Sequence, residues 1–442
     1  MELDASISRD RELGIAYRLN VLLRRFTGHR LVRAGVQMTG FRIVSLGIGA
    51  AGSVWAARCL GPEKTGISGL VLATCTQLAL LATFNQDVAL IRRYKDMQDA
   101  AKENELISGV FSQRMLAVLI LNALAWAVLW ARHLPIQYLG PALVGSALLF
   151  LTANTPTWLL QARENMPAQY RMVALQACLS AALIAIFFRP GMPTGSDLIV
   201  TLAVTGLVAV LTWRIALADR HSLSPGFREA RKELPLLWQG RWLFLSGIVM
   251  YLYISSEQPL LAYIGSVREL GQYRSAVQIS VAIQPFLGMF STLLYPRYVE
   301  WNRQGPEYLW SMQLKICKLL AIPLVVAAFL VIAIVPKAQP ILFGPRFAAA
   351  AVPCVWLILS KLVIVLNSVF TFGLWARRRD KATLLIMSIT AFFSVTANFA
   401  LIPRFGMLAA SIVNFTSEII ILFGMFLYTL WLLKRSGIER SI

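Results

Sequence analysis

The chain has 442 residues, 57% of them hydrophobic and 14% charged, with a net charge of +20 and a mean hydropathy of +0.63. A water-soluble chain carries roughly 25% charged residues, so a soluble globular protein is excluded. The basic excess does not mark a nucleic-acid binder, because it sorts by loop, as the elements below show.

Residues 1–33 are basic and mixed. Ile15, Leu19, Leu22, Leu23 and Phe26 recur at helical spacing beside Arg18, Arg24 and Arg25. That pattern fits an amphipathic helix in the cytoplasmic interface or a plain basic leader. The first apolar run is too long for the h-region of a cleavable signal peptide, so none is expected. From residue 34 onward about twelve mainly apolar windows follow, each long enough for a hydrocarbon core of about 30 Å. They are 34–57, 66–91, 107–131, 134–160, 168–188, 198–218, 241–264, 273–296, 314–335, 352–376, 382–401 and 406–433. In lipid the backbone must satisfy its own hydrogen bonds, so each is expected to be a helix.

With the N-terminus cytoplasmic, the inner segments hold roughly thirty of the 42 Lys and Arg and the outer loops about nine. The inner groups include Arg24, Arg25, Arg30 and Arg33, then Arg92, Arg93 and Lys95, then Arg228, Arg231 and Lys232, then Arg377, Arg378, Arg379 and Lys381, and last Lys434 and Arg435. The alternation orients both termini to the cytoplasm.

A short turn occurs twice, about 205 residues apart: Leu60, Gly61, Pro62, Glu63, Lys64, Thr65, Gly66, and then Ile264, Gly265, Ser266, Val267, Arg268, Glu269, Leu270, Gly271. A second echo has a similar offset. Asn154 precedes Ala162, Arg163 and Glu164, as Asn367 precedes Ala376, Arg377 and Arg378. The chain therefore reads as two parallel six-helix lobes, residues 34–218 and 241–433. A cytoplasmic linker, 219–240, joins them, and 434–442 form a cytoplasmic tail.

The five cysteines are scattered, with no CxxC and no Cys/His cluster, so neither a disulfide framework nor a metal site is expected. No Walker, GxSxG or HExxH pattern stands in a plausible context, so no cofactor and no catalytic residue is assigned. The outer loops are short and their acids are chiefly Glu63, Asp197 and Glu269, which weighs against a membrane-embedded enzyme.

Ionisable groups inside spans carry the functional signal, because each costs about 2.5–3.5 kcal/mol at the bilayer centre unless it faces a wet cavity or a partner. Arg42 lies deep in the first span and Lys361 deep in the tenth, neither with an acid within one helical turn. Glu257 lies in the seventh span and Glu418 near the middle of the twelfth. Asp87, near the inner end of the second, is expected to pair locally with Arg92, and Arg114 to snorkel to the interface. Glu418 suits either a structural lock between helices or ion coupling. Pro156, Pro259 and Pro285 lie inside apolar segments and are candidate kinks. Gly40, Gly47, Gly49 and Gly52 suit close helix contact. Trp130, Tyr138, Trp242, Tyr298, Trp310 and Trp431 read as interfacial anchors.

The run from Ala57 through Arg58, Cys59, Leu60, Gly61, Pro62, Glu63, Lys64 and Thr65 to Gly66 resembles the first loop of bacterial polysaccharide-biosynthesis membrane proteins. The run Pro403, Arg404, Phe405, Gly406, Met407, Leu408, Ala409, Ala410, Ser411 resembles the opening of their last helix. These are the Wzx-like O-antigen and exopolysaccharide flippases of the multidrug/oligosaccharidyl-lipid/polysaccharide (MOP) exporter superfamily, which includes the MATE transporters. The resemblance implies an all-α integral membrane protein that flips a polyprenyl-pyrophosphate-linked glycan across the bacterial inner membrane. Membrane lipid and a polysaccharide polymerase would be its neighbours. Arg42 and Lys361 would then attract pyrophosphate or acidic sugars, and Glu257 would pair with one of them or take up a proton. The alternative is a cation-coupled multidrug antiporter of the same superfamily. Such proteins tend to carry an acid in their first helices, where this chain has Arg42.

Overall fold

The computed structural model describes residues 30–439, apart from residues 98, 132, 134, 218–223, 225, 227–230, 232–240, 282–293 and 295–296. The expected amphipathic segment before residue 30, most of the linker, the last residues of the tail, and Pro285 therefore lie outside the described residues. All secondary structure among the described residues is helical. In chain order the α-helices are α1 (Arg30–Thr83), α2 (Asp87–Lys95), α3 (Ala100–Ala131), α4 (Ile136–Asn154), α5 (Thr157–Ala162), α6 (Met166–Phe187) and α7 (Ser196–Leu217). The second half holds α8 (Arg241–Ser255), α9 (Glu257–Ile264), α10 (Val267–Val281), α11 (Pro306–Phe343), α12 (Ala351–Ala376) and α13 (Asp380–Glu439), with a 3-10 turn, Pro345–Ala350, before α12.

Eight helical segments among the described residues are long and apolar enough to cross a membrane. Their outward faces are those of a protein dissolved in lipid. On α11, Leu319 and Ile322 are each 75% exposed and Phe329 70%. Water would penalise such a continuous apolar surface, and hydrocarbon does not. The chain is a multi-pass membrane protein.

Two helices are too long for one crossing, and both break at a glycine. α1 has 54 residues, about 80 Å at helical rise, and Gly61 interrupts it at φ 79°, ψ 172°. Pro62 follows with no N–H to give the preceding turn. α13 has 60 residues and is interrupted at Gly406, φ 54°, ψ −136°, shortly after Pro403. The carboxylate of Glu269 lies where a side chain at Gly406 would begin, so a residue of the second echoed turn packs on the break in α13. The window expected at 241–264 is α8 plus α9, that at 352–376 is α12, and that at 273–296 is described as far as the end of α10.

The two echoed turns do more than mark the halves. The segment of α1 after Pro62 crosses α10 with backbone on backbone. A Cβ at Gly66 would overlap the Val267 carbonyl, and one at Gly271 would overlap the Pro62 carbonyl. Glycine is required at both positions by space. Of the small residues of the first span, Gly52 packs against Ala181 and Gly49 more loosely against Ala177, both on α6, while Gly40 and Gly47 have open space around them. Gly271→Ala is therefore expected to cost about 1–3 kcal/mol by overpacking, and Gly47→Ala nothing, as read by thermal unfolding in detergent.

One aromatic expectation is corrected: Tyr298 is fully buried against Trp301 and Phe372, a core residue. Trp310 is partly buried, its ring beside those of Phe370 and Phe426. Trp130 and Trp431 remain surface aromatics, 83% and 49% exposed, and the Arg435 guanidinium lies 5.6 Å from the Trp431 ring. The side chain of Trp242 lies outside the described residues.

Candidate functional site

Pro259 shapes the seventh span. It has no N–H to donate to the Ser255 carbonyl, and α8 ends at Ser255 with α9 starting at Glu257. The Tyr251 hydroxyl takes the freed carbonyl at 3.4 Å. The break puts Glu257 in the first turn of a helix, where unsatisfied N–H groups favour a carboxylate. Glu257 is 3% exposed and receives the Tyr273 hydroxyl of α10 at 3.3 Å. Pro156 has the same effect on the fourth span, separating α4 from α5.

Glu418, on α13, is also 3% exposed. Its Oε1 accepts from the Tyr253 hydroxyl of α8, and its Oε2 accepts from Asn367 Nδ2 of α12 at 2.6 Å. The same amide donates to the Glu418 backbone carbonyl at 3.1 Å. Asn367, marked in the sequence only as the echo of Asn154, is therefore a ligand of a buried acid. Asn154 plays no such part, since its amide donates to Phe150 O of its own helix at 3.0 Å.

Lys361 lies on α12, half-buried, and its charge acts on both Glu257 and Glu418. It makes no ion pair within 4.0 Å among the described residues. Three of the expected site residues, Glu257, Lys361 and Glu418, thus form one electrostatic cluster in the second half of the chain. The cluster reaches the first half through Tyr251. Its hydroxyl accepts from Gln77 Nε2 on α1, and the Glu257 charge acts on it.

The other candidates lie apart. Arg42 falls on α1, and its side chain is outside the described residues. Asp87 makes a long-range bridge: its Oδ1 accepts from Arg114 Nη2 on α3 at 2.7 Å. The Arg92 side chain is outside the described residues. Arg114 does not snorkel. Its side chain is 4% exposed, and it also donates to Ala153 O at 3.3 Å. The Asp87–Arg114 pair is a structural tie between α2, α3 and the end of α4.

Sequence reasoning missed Tyr251, Tyr253, Tyr273 and Gln77. A tyrosine in an apolar window reads as bulk. The signal that would have found the three tyrosines is that a buried hydroxyl needs a partner.

A family model described as polysaccharide biosynthesis protein matches residues 33–301. A protein of Escherichia coli (strain K12) named for O-antigen transport is 25% identical over 255 residues, 54% of this chain and 58% of the relative, so little over half of that relative's length is matched. Among solved structures, the lipid II flippase MurJ in an inward closed conformation superposes with a TM-score of 0.70 at 11% identity, over 89% of this chain and 87% of that one. An inward-facing multidrug resistance MATE family transporter of the MOP superfamily superposes at 0.61 with 15% identity, over 89% and 96%. At these identities the superpositions speak for the fold, which is that of the MATE and MurJ proteins.

Proposed function

Since the chain belongs to the polysaccharide biosynthesis protein family, we propose that it moves a polyprenyl-pyrophosphate-linked glycan repeat unit across the bacterial inner membrane. Two lobes, residues 34–218 and 241–433, alternate in access to the two faces, and both termini are cytoplasmic. The observation that carries the reading is the Glu257–Lys361–Glu418 cluster: a cation with two acids in an apolar bundle, tied to the first half by the hydrogen bond between Gln77 and Tyr251. Ionised groups at such depth serve transport paths far more often than packing.

The charge balance suggests how the cluster works. Two carboxylates and one ammonium leave one negative charge uncompensated in a low-dielectric site, and a single proton makes the trio neutral. A proton or other cation taken up by the acids frees the Lys361 ammonium to meet a phosphate. Arg42 would supply a second cation from the first lobe. The polar headgroup crosses between the lobes while the polyprenyl chain stays in lipid.

The test is loss of the protein from its own cell. Lipid-linked repeat units are expected to accumulate on the cytoplasmic side while surface polysaccharide disappears, and normal surface polysaccharide would reject the reading. The buried acid pair also suits a cation-coupled drug antiporter. A clear gain of drug resistance on expression in a pump-deficient host would favour that reading instead.

A further inference from the structure

The two halves meet most tightly at the ends marked by the echoed turns. Gly66 and Gly271 bring α1 and α10 into backbone contact. One turn further along α1, the Arg274 side chain lies over Gly69, with its Cδ and guanidinium filling the space a Cβ would take. Next to Gly69, Ser68 Oγ donates to Asp197 Oδ1 of α7 at 2.6 Å, and the charges of Asp197 and Arg274 act on each other. Arg274 thus extends from the second half of the chain, across α1, toward an acid of the first half.

A second contact seals the other side of the same end. Arg58, at the end of the first segment of α1, donates through Nε to Leu342 O at 2.5 Å and through Nη2 to Ile341 O, the last carbonyls of α11. A cation there also meets the negative end of the helix dipole. Ala57 packs under it against Phe343 and Phe347. By the distribution of Lys and Arg, this is the outer face.

We propose that this seam is the outer gate of the transport path, and that Arg274, seated in the notch at Gly69, is its latch. The glycines allow the helices to close, and the arginine holds them closed. The inference rests on alternating access by two lobes and is independent of what is carried.

The test is the accessibility of a cysteine placed below the seam. Ala73 lies on the same stripe of α1 as Gly66 and Gly69, one turn further in, so Ala73→Cys is probed in intact cells with a membrane-impermeant maleimide, the unsubstituted protein giving the background. In an otherwise native chain it is expected to label slowly. Arg274→Ala is expected to raise the rate about fivefold, the ratio that about 1 kcal/mol gives. Gly69→Ala is expected to do the same by a different route, since its methyl evicts the arginine while leaving its charge. A Glu63→Cys control on the exposed outer turn is expected to label equally fast in every background, which also reports correct insertion. Unchanged Ala73→Cys labelling in the Arg274→Ala protein, with the control intact, would overturn the latch. A control that labels only after the cells are opened would overturn the outer-face assignment. Neither readout depends on glycan export, so a different cargo would leave the result standing.

Discussion

Lys361→Met is expected to lower surface polysaccharide tenfold or more while the protein still inserts. The substitution keeps most of the side-chain volume and removes the only positive charge that acts on both Glu257 and Glu418 among the described residues. Two effects follow, and they are separable. The first is on stability: an uncompensated buried charge costs about 3–5 kcal/mol, here shared between two acids that can hydrate in part or take up protons. The second is on transport, since no ammonium remains to meet a phosphate. A tenfold loss corresponds to about 1.4 kcal/mol of lost interaction, which is small for a charge-assisted contact. Adding Glu257→Gln to Lys361→Met returns the trio to its native net charge. The double variant is therefore expected to regain thermal stability in detergent without regaining export. Recovery of both would mean that Lys361 only balances charge. Lys361→Arg, which keeps the charge but changes the shape of the head, is expected to fall between.

What could be read from the sequence, and what could not, divides by the range of the interactions. Apolar windows were legible because lipid leaves a long apolar segment few alternatives to a helix. The breaks at Gly61 and Gly406 were legible because a turn beside proline between two apolar runs needs a residue that tolerates positive φ. Glu257, Lys361 and Glu418 stood out as costly residues, yet nothing in their spacing put them together. That depends on how α9, α12 and α13 pack, and long-range packing leaves no local pattern. The same limit applies to the bridge from Asp87 to Arg114 on the next helix, which no local pattern announces. The echoed turns were read as markers of two halves. Their mutual contact at Gly66 and Gly271 was invisible, because glycine in a turn looks the same whether it serves φ or space.

Glu418 offers the sharpest separation between structure and function, because its two roles respond differently to one atom. As a lock, the carboxylate accepts from Tyr253 and Asn367 and ties α13 to α8 and α12. Glu418→Ala strands two buried donors at about 1–3 kcal/mol each, so a loss of about 2–6 kcal/mol of stability is expected whatever else the residue does. Glu418→Gln is different. The amide oxygen can accept from Asn367 and the amide nitrogen can donate to the Tyr253 oxygen, so only the Tyr253 hydroxyl hydrogen loses its acceptor, where Ala leaves both donors stranded. A pure lock therefore predicts that Glu418→Gln loses less stability than Glu418→Ala and exports as the native protein does. The cluster reading predicts the same small stability loss with impaired export, because an amide neither carries the charge that Lys361 balances nor exchanges a proton or cation during the cycle. It further predicts that whatever transport remains responds less to a collapsed proton or sodium gradient than that of the native protein. Thermal unfolding in detergent beside export with and without ionophore decides between the two: native, gradient-sensitive export from a folded Glu418→Gln protein would reduce Glu418 to a packing residue and leave Glu257 as the candidate for coupling.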